Sequence, residues 1–590
     1  MRHSRSKYTR VALAILFIYT VLAVMYSLSV PAWEAPDEIA HYTFIKQLRQ
    51  TGQLPVQTIG QLGEAHQPPL YYILAAIASL PADFSGNVGA FRGNSQFVWA
   101  GQGGNEVNAA IHGSAETFPF HQQALALHLA RAASILMGLG TVAFTIKIGW
   151  DVFPNKRGIG LLAATLVAFN PQFLFISSVL SNDNLLIFIV AGASWQTLQA
   201  TRKPDKWYVW LFVGLWLAAA MLTKLSGAAI VLAVGIFLIG FSVHKRSIRL
   251  LIRSGVVISV TMLLISGWWF VRNQMLYGDP LGMNIFEQIY AANARQAPLQ
   301  WHDMQQFFTT QFRSYWGVFG WMNLPSPDWF FIAIRGLLLT SIAGLAVLVA
   351  SGRHKTMSIR QKGSLAFLLL IIIMQELIIF NMITRCNASC YQGRYLFPAS
   401  FSIALFVALG LFSLKPRRLS HFFVVGTPLF LLVAALFMLF QIIQPAYATP
   451  TLSKWQLWFT QNNTEIAFPP YFSLAGYQVE ESDTEIELTF YWQASANPDF
   501  DYSVFVHLLD ENGIVVAQID GAPGEAIHYL PIAWDEGDII ADTRLLTVPP
   551  DFPSETYAFR IGVYNWATGE RFPAFVENVP VGDFVILNGR

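Results

Sequence analysis

The chain has 590 residues, 54% hydrophobic and only 12% charged. That is about half the charge of a soluble domain, which excludes one large soluble globule. The formal charge of +1 conceals a division: residues 1–450 carry 32 Lys and Arg against 15 Asp and Glu, whereas residues 451–590 carry 5 against 21. Such an asymmetry implies two domains in two environments, and two cysteines exclude a disulfide-built scaffold.

A bilayer core requires about 20 mainly apolar residues per helix. Eleven segments meet or approach that length: 11–30, 129–150, 158–178, 185–199, 207–222, 225–243, 254–271, 330–350, 364–383, 396–414 and 422–443. The first is long for a signal peptide and lacks a convincing small-x-small cleavage site, so it reads as an anchor. Arg2, Arg5, Lys7 and Arg10 precede it, and basic residues then recur in every second loop, from Lys156/Arg157 to Lys415/Arg417/Arg418. The positive-inside rule therefore puts the N-terminus in the cytoplasm and, after eleven spans, the C-terminus outside. The expectation is a multi-pass protein of the plasma membrane. Its domains are 1–446 in the membrane, with long outer loops at 31–128 and 272–329, a linker at 447–470, and an extracytoplasmic domain at 471–590.

The first outer loop opens with Pro36-Asp37-Glu38-Ile39-Ala40-His41. Pro36 suits the first position of a helix, which puts Asp37 and Glu38 in its first turn and His41 on the same face. Acids at a helix start are explained by the macrodipole alone. Beside a membrane surface they also suit a lipid-borne substrate: a carboxylate can take a proton from a hydroxyl, or Asp37, Glu38 and His41 can hold a divalent cation. Glu64 and His66 come next, just before Pro68-Pro69 and an apolar stretch, 70–80, that reads as an interfacial helix or a re-entrant segment. Gly101 to Asn105 lacks the following helix of a phosphate cradle, and no nucleotide-phosphate motif occurs in the chain.

Lys224, Arg272 and Arg394 lie at outer membrane ends. Such cations commonly snorkel to lipid phosphates, but they can also hold a phosphate leaving group. Arg394 is the best placed, because Gly393 permits close backbone approach. Arg131 falls inside a span, where an unpaired charge is costly, and Glu376 sits mid-span as a proton relay or a structural partner. Cys386 and Cys390 can close a small disulfide, though nothing in the sequence demands it.

Beyond Tyr471 the pattern alternates with period two in 484–492, 502–509, 514–519, 543–548 and 557–564. Turn residues at Asp510 to Gly513, Pro549-Pro550 and Ala567 to Gly569 separate these strands, which predicts an antiparallel all-β sandwich. Trp492, Trp534, Tyr564 and Trp566 either fill its core or stack on sugar rings. The acidity of this domain argues against nucleic acid or anionic lipid as its partner.

With these residues the chain resembles the GT-C superfamily of membrane glycosyltransferases. It is similar to the branch of protein O-mannosyltransferases and lipid A aminoarabinose transferases. The resemblance rests on Pro36-Asp37-Glu38 with His41, His66-Gln67-Pro68-Pro69-Leu70-Tyr71-Tyr72, Asn182-Asp183-Asn184, Thr223-Lys224, Arg272-Asn273 with Tyr277-Gly278-Asp279-Pro280, and Gln392-Gly393-Arg394-Tyr395. It implies a polyprenyl-phosphate sugar donor and an acidic base or metal ligand in the first outer loop. Carried over, Asp37 is the base, Glu38 a supporting acid or ligand, and His41, His66, Lys224, Arg272 and Arg394 line the substrate and its phosphate. The aminoarabinose branch has an acidic-basic pair before its proline where this chain has His66-Gln67, a departure that bears on the phosphate and metal roles there alike. The expected activity is sugar transfer to an extracytoplasmic glycan, lipid or protein, with a divalent cation as the sole cofactor considered. The alternative is a lipid-linked-glycan flippase or transporter, which predicts polar groups along the membrane midplane.

Overall fold

A computed structural model describes the chain except residues 1, 62, 85, 87–89, 95–96, 98–107, 114–115, 460–461, 483, 528, 549–556 and 590. The loop 101–105 and the turn at Pro549-Pro550 lie outside the described residues. The chain divides into two compact units: Met1–Ala110 with Phe118–Tyr447, and Ile111–Thr117 with Ala448–Arg590.

The first unit is helical, and each of the eleven apolar segments forms helix. Among the described residues, eight helices are long and apolar enough to cross a membrane: Lys7–Ser29, Gln122–Val152, Leu225–His244, Ile248–Tyr277, Asp328–Ala350, Ile359–Ile383, Ala388–Ser413 and Arg417–Ala446. A ninth results if Gly158–Ala168 and Pro171–Ser177, bent by 66° at their break, act as one span. The bend has a local cause. Pro171 cannot continue the preceding helix, and Asn170 caps the new one by accepting from the backbone N–H of Gln172 at 2.9 Å. Two expected spans fall short of the others. Trp207–Met221 has 15 residues, about 22 Å of helix against a core of about 30 Å. Asn182–Ala200 opens on Asn182-Asp183-Asn184 and carries Gln196 and Gln199 near its end, so it is less apolar than a crossing helix.

Packing within this unit follows the membrane rule that small residues let backbones meet. A Cβ added at Gly149 would lie 2.3 Å from the Cα of Gly160, so these two helices touch there without side chains. Glu376, expected as relay or structural partner, accepts a hydrogen bond from Gln311 Nε2 at 3.1 Å.

Between the spans, Leu70–Ala78 is a nine-residue helix, too short to cross. Leu70 N–H donates to the Leu222 carbonyl at 2.9 Å, and Tyr71 and Tyr72 are fully buried. The second long loop holds an amphipathic helix, Trp301–Trp316, that the apolar pattern did not announce. Gln300 and Asp303 form its capping box, and it buries Phe307, Gln311, Ser314, Tyr315 and Trp316.

The second unit is an antiparallel sandwich with ten strands among the described residues: β1 Asn462–Phe468, β2 Phe472–Glu481, β3 Glu485–Ala494, β4 Ser503–Leu509, β5 Val515–Gly521, β6 Ile539–Thr547, β7 Ala558–Tyr564, β8 Ala574–Val576, β9 Val579–Gly582 and β10 Val585–Asn588. One sheet has the order β9-β8-β1-β2-β3-β6 and the other β10-β7-β4-β5. Ile486, Leu488, Phe490 and Trp492 from the first meet Val504, Val506, Leu508, Phe559, Ile561 and Val563 from the second in one core. The stretch 447–470 is therefore not a linker throughout, since β1 pairs with β2. Among the described side chains of β1, Ile466 and Phe468 enter the core, which left its alternation too short to read.

A candidate active site at the Asp37 turn

After the first span the backbone turns through Trp33 and Asp37, both with positive φ, at 73° and 66°. Asp is one of the few side chains that tolerate this left-handed region. Asp37 is thus the residue before the helix Glu38–Thr51 rather than part of its first turn, and it makes no side-chain cap. The consequence is that Asp37 and Glu38 point to different partners.

Glu38 is fully buried against Arg131. Arg131 Nε donates to Oε1 at 2.8 Å and Nη2 to Oε2 at 2.6 Å. The same carboxylate accepts from the backbone N–H of Trp33 at 3.0 Å and of Leu180 at 2.9 Å. Arg131 spends its other donors on the carbonyls of Ser27, Val30 and Pro31. Arg131 therefore has the partner that a charge inside a span requires, and Glu38 holds three segments together. Each Glu38 oxygen already accepts two hydrogen bonds, which departs from its expected place as a supporting acid or ligand beside Asp37.

Asp37 instead heads a chain of alternating charges. It accepts a hydrogen bond from Arg394 Nη2, while Arg394 Nε lies 3.9 Å from Asp183 Oδ2 and Lys224 Nζ donates to Asp183 Oδ1 at 2.5 Å. The two cations flank the ring of Tyr395, at 5.3 Å for Arg394 and 5.6 Å for Lys224. Arg394 and Asp183 are nearly closed off, with side chains 4% and 5% exposed, whereas Asp37 keeps 39% of its side chain open. Local sequence sets each part. A Cβ at Gly393 would lie 2.2 Å from the backbone nitrogen of Tyr315, so only glycine lets this loop press onto helix Trp301–Trp316. Gly393 N–H donates to Ser314 Oγ at 2.7 Å there. Ser181 Oγ accepts from the Asp183 N–H at 3.3 Å and starts the helix that carries Asp183.

A second group adjoins the first. His41 Nδ1 lies 3.0 Å from the Tyr72 hydroxyl, which also accepts from Asn182 Nδ2 at 3.4 Å. Glu64 Oε2 is 3.8 Å from His66 Nε2, and the Tyr290 hydroxyl is 3.5 Å from Oε1. Both His66 Nδ1 and Glu64 Oε2 are buried without a hydrogen-bond partner among the described residues.

The electrostatics follow from this layout. Burial raises the cost of the Asp37 charge, but Arg394, His41 and Lys224 outweigh it and hold the carboxyl below its usual range. Burial pushes Glu64 the other way, above its usual range. Burial, helped by Lys224, drives His66 down to about 4, so its imidazole is neutral at pH 7, and burial lowers His41 as well. Burial disfavours the Lys224 ammonium, yet Asp183 reverses the balance and its pKa is raised.

The structure brings Asp37, His41, Lys224 and Arg394 together, with His66 beside them. It leaves out Glu38, and it gives Arg272 other contacts: the Pro55 carbonyl at 2.8 Å and the Trp269 ring at 4.8 Å. Sequence reasoning missed Asp183 as a site residue, although Asn182-Asp183-Asn184 was visible, and it named Glu64 beside His66 and Tyr395 beside Arg394 without giving either a role. The expected metal set does not assemble. Asp37 faces Arg394, Glu38 faces Arg131 and His41 faces Tyr72, and no three His, Cys, Asp or Glu side chains converge among the described residues. Asp37 and Asp183 are instead engaged by Arg394 and Lys224.

Residues 121–270 match the protein family described as dolichyl-phosphate-mannose-protein mannosyltransferase. The match covers six α-helices of the first unit and most of a seventh, Ile248–Tyr277, and supports the resemblance to GT-C membrane glycosyltransferases. No curated protein matches the chain. Among solved structures the chain is similar to ArnT from Cupriavidus metallidurans in the apo state, at 14% identity and a TM-score of 0.42, over 75% of this chain and 73% of that one. It is also similar to the Archaeoglobus fulgidus oligosaccharyltransferase in complex with Zn and sulfate, at 14% identity and a TM-score of 0.42, over 75% of this chain and 55% of that one. The S. cerevisiae protein O-mannosyltransferase Pmt1–Pmt2 complex bound to the sugar donor follows at 18% identity and a TM-score of 0.31, over 51% and 36%.

Proposed function

We propose that the chain is an integral-membrane glycosyltransferase that moves a sugar from a polyprenyl-phosphate carrier to a hydroxyl of an extracytoplasmic glycan, lipid or protein. The observation that carries this reading is the juxtaposition of Arg394 and Lys224 with the open carboxylate of Asp37. The donor class is supported by the dolichyl-phosphate-sugar chemistry that the matching family's description names.

The chemistry asks little of the protein. The acceptor oxygen attacks the anomeric carbon, the bond from that carbon to the phosphate oxygen breaks, and the lipid phosphate departs with the electron pair. Arg394 and Lys224 stabilise the growing charge on the phosphate, and Asp37 takes the acceptor's proton. The aspartates hold the two cations in place until the donor arrives. When the phosphate engages Arg394, the Asp37 carboxylate is released from its partner and becomes a stronger base at the moment it is needed.

Transfer of label from a polyprenyl-phosphate sugar by purified protein in lipid tests the proposal. Label should appear in an endogenous glycan, lipid or protein acceptor, and Arg394→Ala should abolish most of it. Donor that is neither bound nor consumed would reject the transferase reading.

A further inference from the structure

The four aromatic residues with two readings in the sequence separate cleanly in the second unit. Trp492 and Trp534 belong to the core, at 0% and 1% exposure, and Tyr564 is half-buried with its hydroxyl 3.4 Å from Asp520 Oδ2. Trp566 is 59% exposed. Exposed apolar side chains are ordinary when they are scattered and loose. Trp566 is held still. Its Nε1–H donates to the Asp501 carbonyl at 2.9 Å, and its ring packs on Phe500 with centroids 5.4 Å apart and planes 31° apart. The turn that carries it is locked by Asn565, whose Oδ1 accepts from the backbone N–H groups of Ala567 at 3.0 Å and Thr568 at 3.3 Å.

The surroundings are equally fixed. Asn497 Nδ2 donates to Asp535 at 3.0 Å and Ile532 N–H to Asp501 Oδ1 at 3.1 Å, which ties the loops 495–502 and 531–538 together. Among the described residues of these loops and of the turn 565–570, Trp566 is the one large apolar side chain that is exposed. A protein partner needs about 800 Å² per side with several buried anchors, and a single ring cannot supply them. One flat ring does fit one pyranose, whose C–H face is apolar and whose rim is hydroxyls. Asp499 and Glu570 are exposed in the same loop and turn, and carboxylates are acceptors for hydroxyls of this kind. With 5 basic against 21 acidic residues from residue 451 onward, an anionic sugar is disfavoured.

We propose that Trp566 is a preorganised stacking platform, and that the sandwich binds a neutral glycan through it. The site stands apart from the transferase reading, because it is read out by binding without turnover.

The experiment is saturation-transfer NMR on the full chain in lipid nanodiscs, with cellotriose and mannotriose as probes and a Lys/Arg-rich peptide as the competing ligand class. At least one trisaccharide should receive saturation at its ring protons. Trp566→Tyr, which keeps a platform, should hold affinity within about threefold, and Trp566→Ala should lose at least about tenfold. Absence of transfer to both trisaccharides, unchanged affinity in Trp566→Ala, or binding of the basic peptide alone would each overturn the assignment.

Discussion

Arg394 and Asp37 stand 357 residues apart in the chain, yet the guanidinium of one donates directly to the carboxylate of the other. The contact draws two distant loops into one charged cluster and ties the proposed base to the proposed phosphate contact. A substitution at either residue is therefore read through its partner.

Arg394→Lys replaces a planar fork with a point charge and should weaken donor use, while Arg394→Gln should weaken it further. Donor titration of both variants in nanodiscs checks this. Wild-type affinity in both would return Arg394 to a role in lipid contact alone.

The same pair sets a pH expectation. Arg394 helps to hold Asp37 below the usual carboxylate range, so the free enzyme should keep its base ionised through mildly acidic conditions. The acid limb of kcat/KM should lie below that of an ordinary aspartate, and it should move to higher pH in Arg394→Gln. A limb that stays in place on removing the guanidinium would uncouple the two residues.

Glu38 and Arg131 predict a loss of stability instead. Breaking a buried pair by removing one partner typically costs about 3–5 kcal/mol. Glu38→Gln and Arg131→Met should each lower the thermal midpoint in detergent and reduce yield, with the surviving folded protein still binding donor. A Glu38→Gln protein of normal midpoint and no turnover would make Glu38 the base after all.

Glu64 has the opposite signature to Asp37. Its folded pKa is raised by burial, so its carboxyl costs little below the ordinary glutamate value and destabilises the fold increasingly as pH rises through that value toward the folded one. Glu64→Gln should therefore be more stable relative to wild type at pH 8 than at pH 4, as read by thermal midpoints at the two pH values. A difference that does not vary with pH would place the carboxylate in contact with water or a cation.

The sequence made the membrane unit legible because apolar length and period are local signals, and each of the eleven segments lies on a helix. What it could not expose were pairings across long stretches. Asp183 read as one polar residue at a helix start, and only folding sets it against Lys224, 41 residues on. Glu38 and Asp37 looked equivalent as neighbours. The left-handed backbone at Asp37 separates them, and no local pattern announces that turn at a non-glycine residue. In the sandwich, β3 was clear from its strict alternation. The short strands β8, β9 and β10 have 3, 4 and 4 residues and offer too little period to see. Cys386 and Cys390, left open in the sequence, are joined as a disulfide.

The most direct test is the turnover of Asp37→Asn in the label-transfer assay with a polyprenyl-phosphate sugar. Asn keeps the volume of Asp and most of its hydrogen bonding, so folding and donor binding should remain close to normal. A general base contributes a factor of about 10² to 10⁴, and turnover should fall by that much. Turnover near the wild-type rate, with Asp37 replaced and the protein folded, would contradict the account.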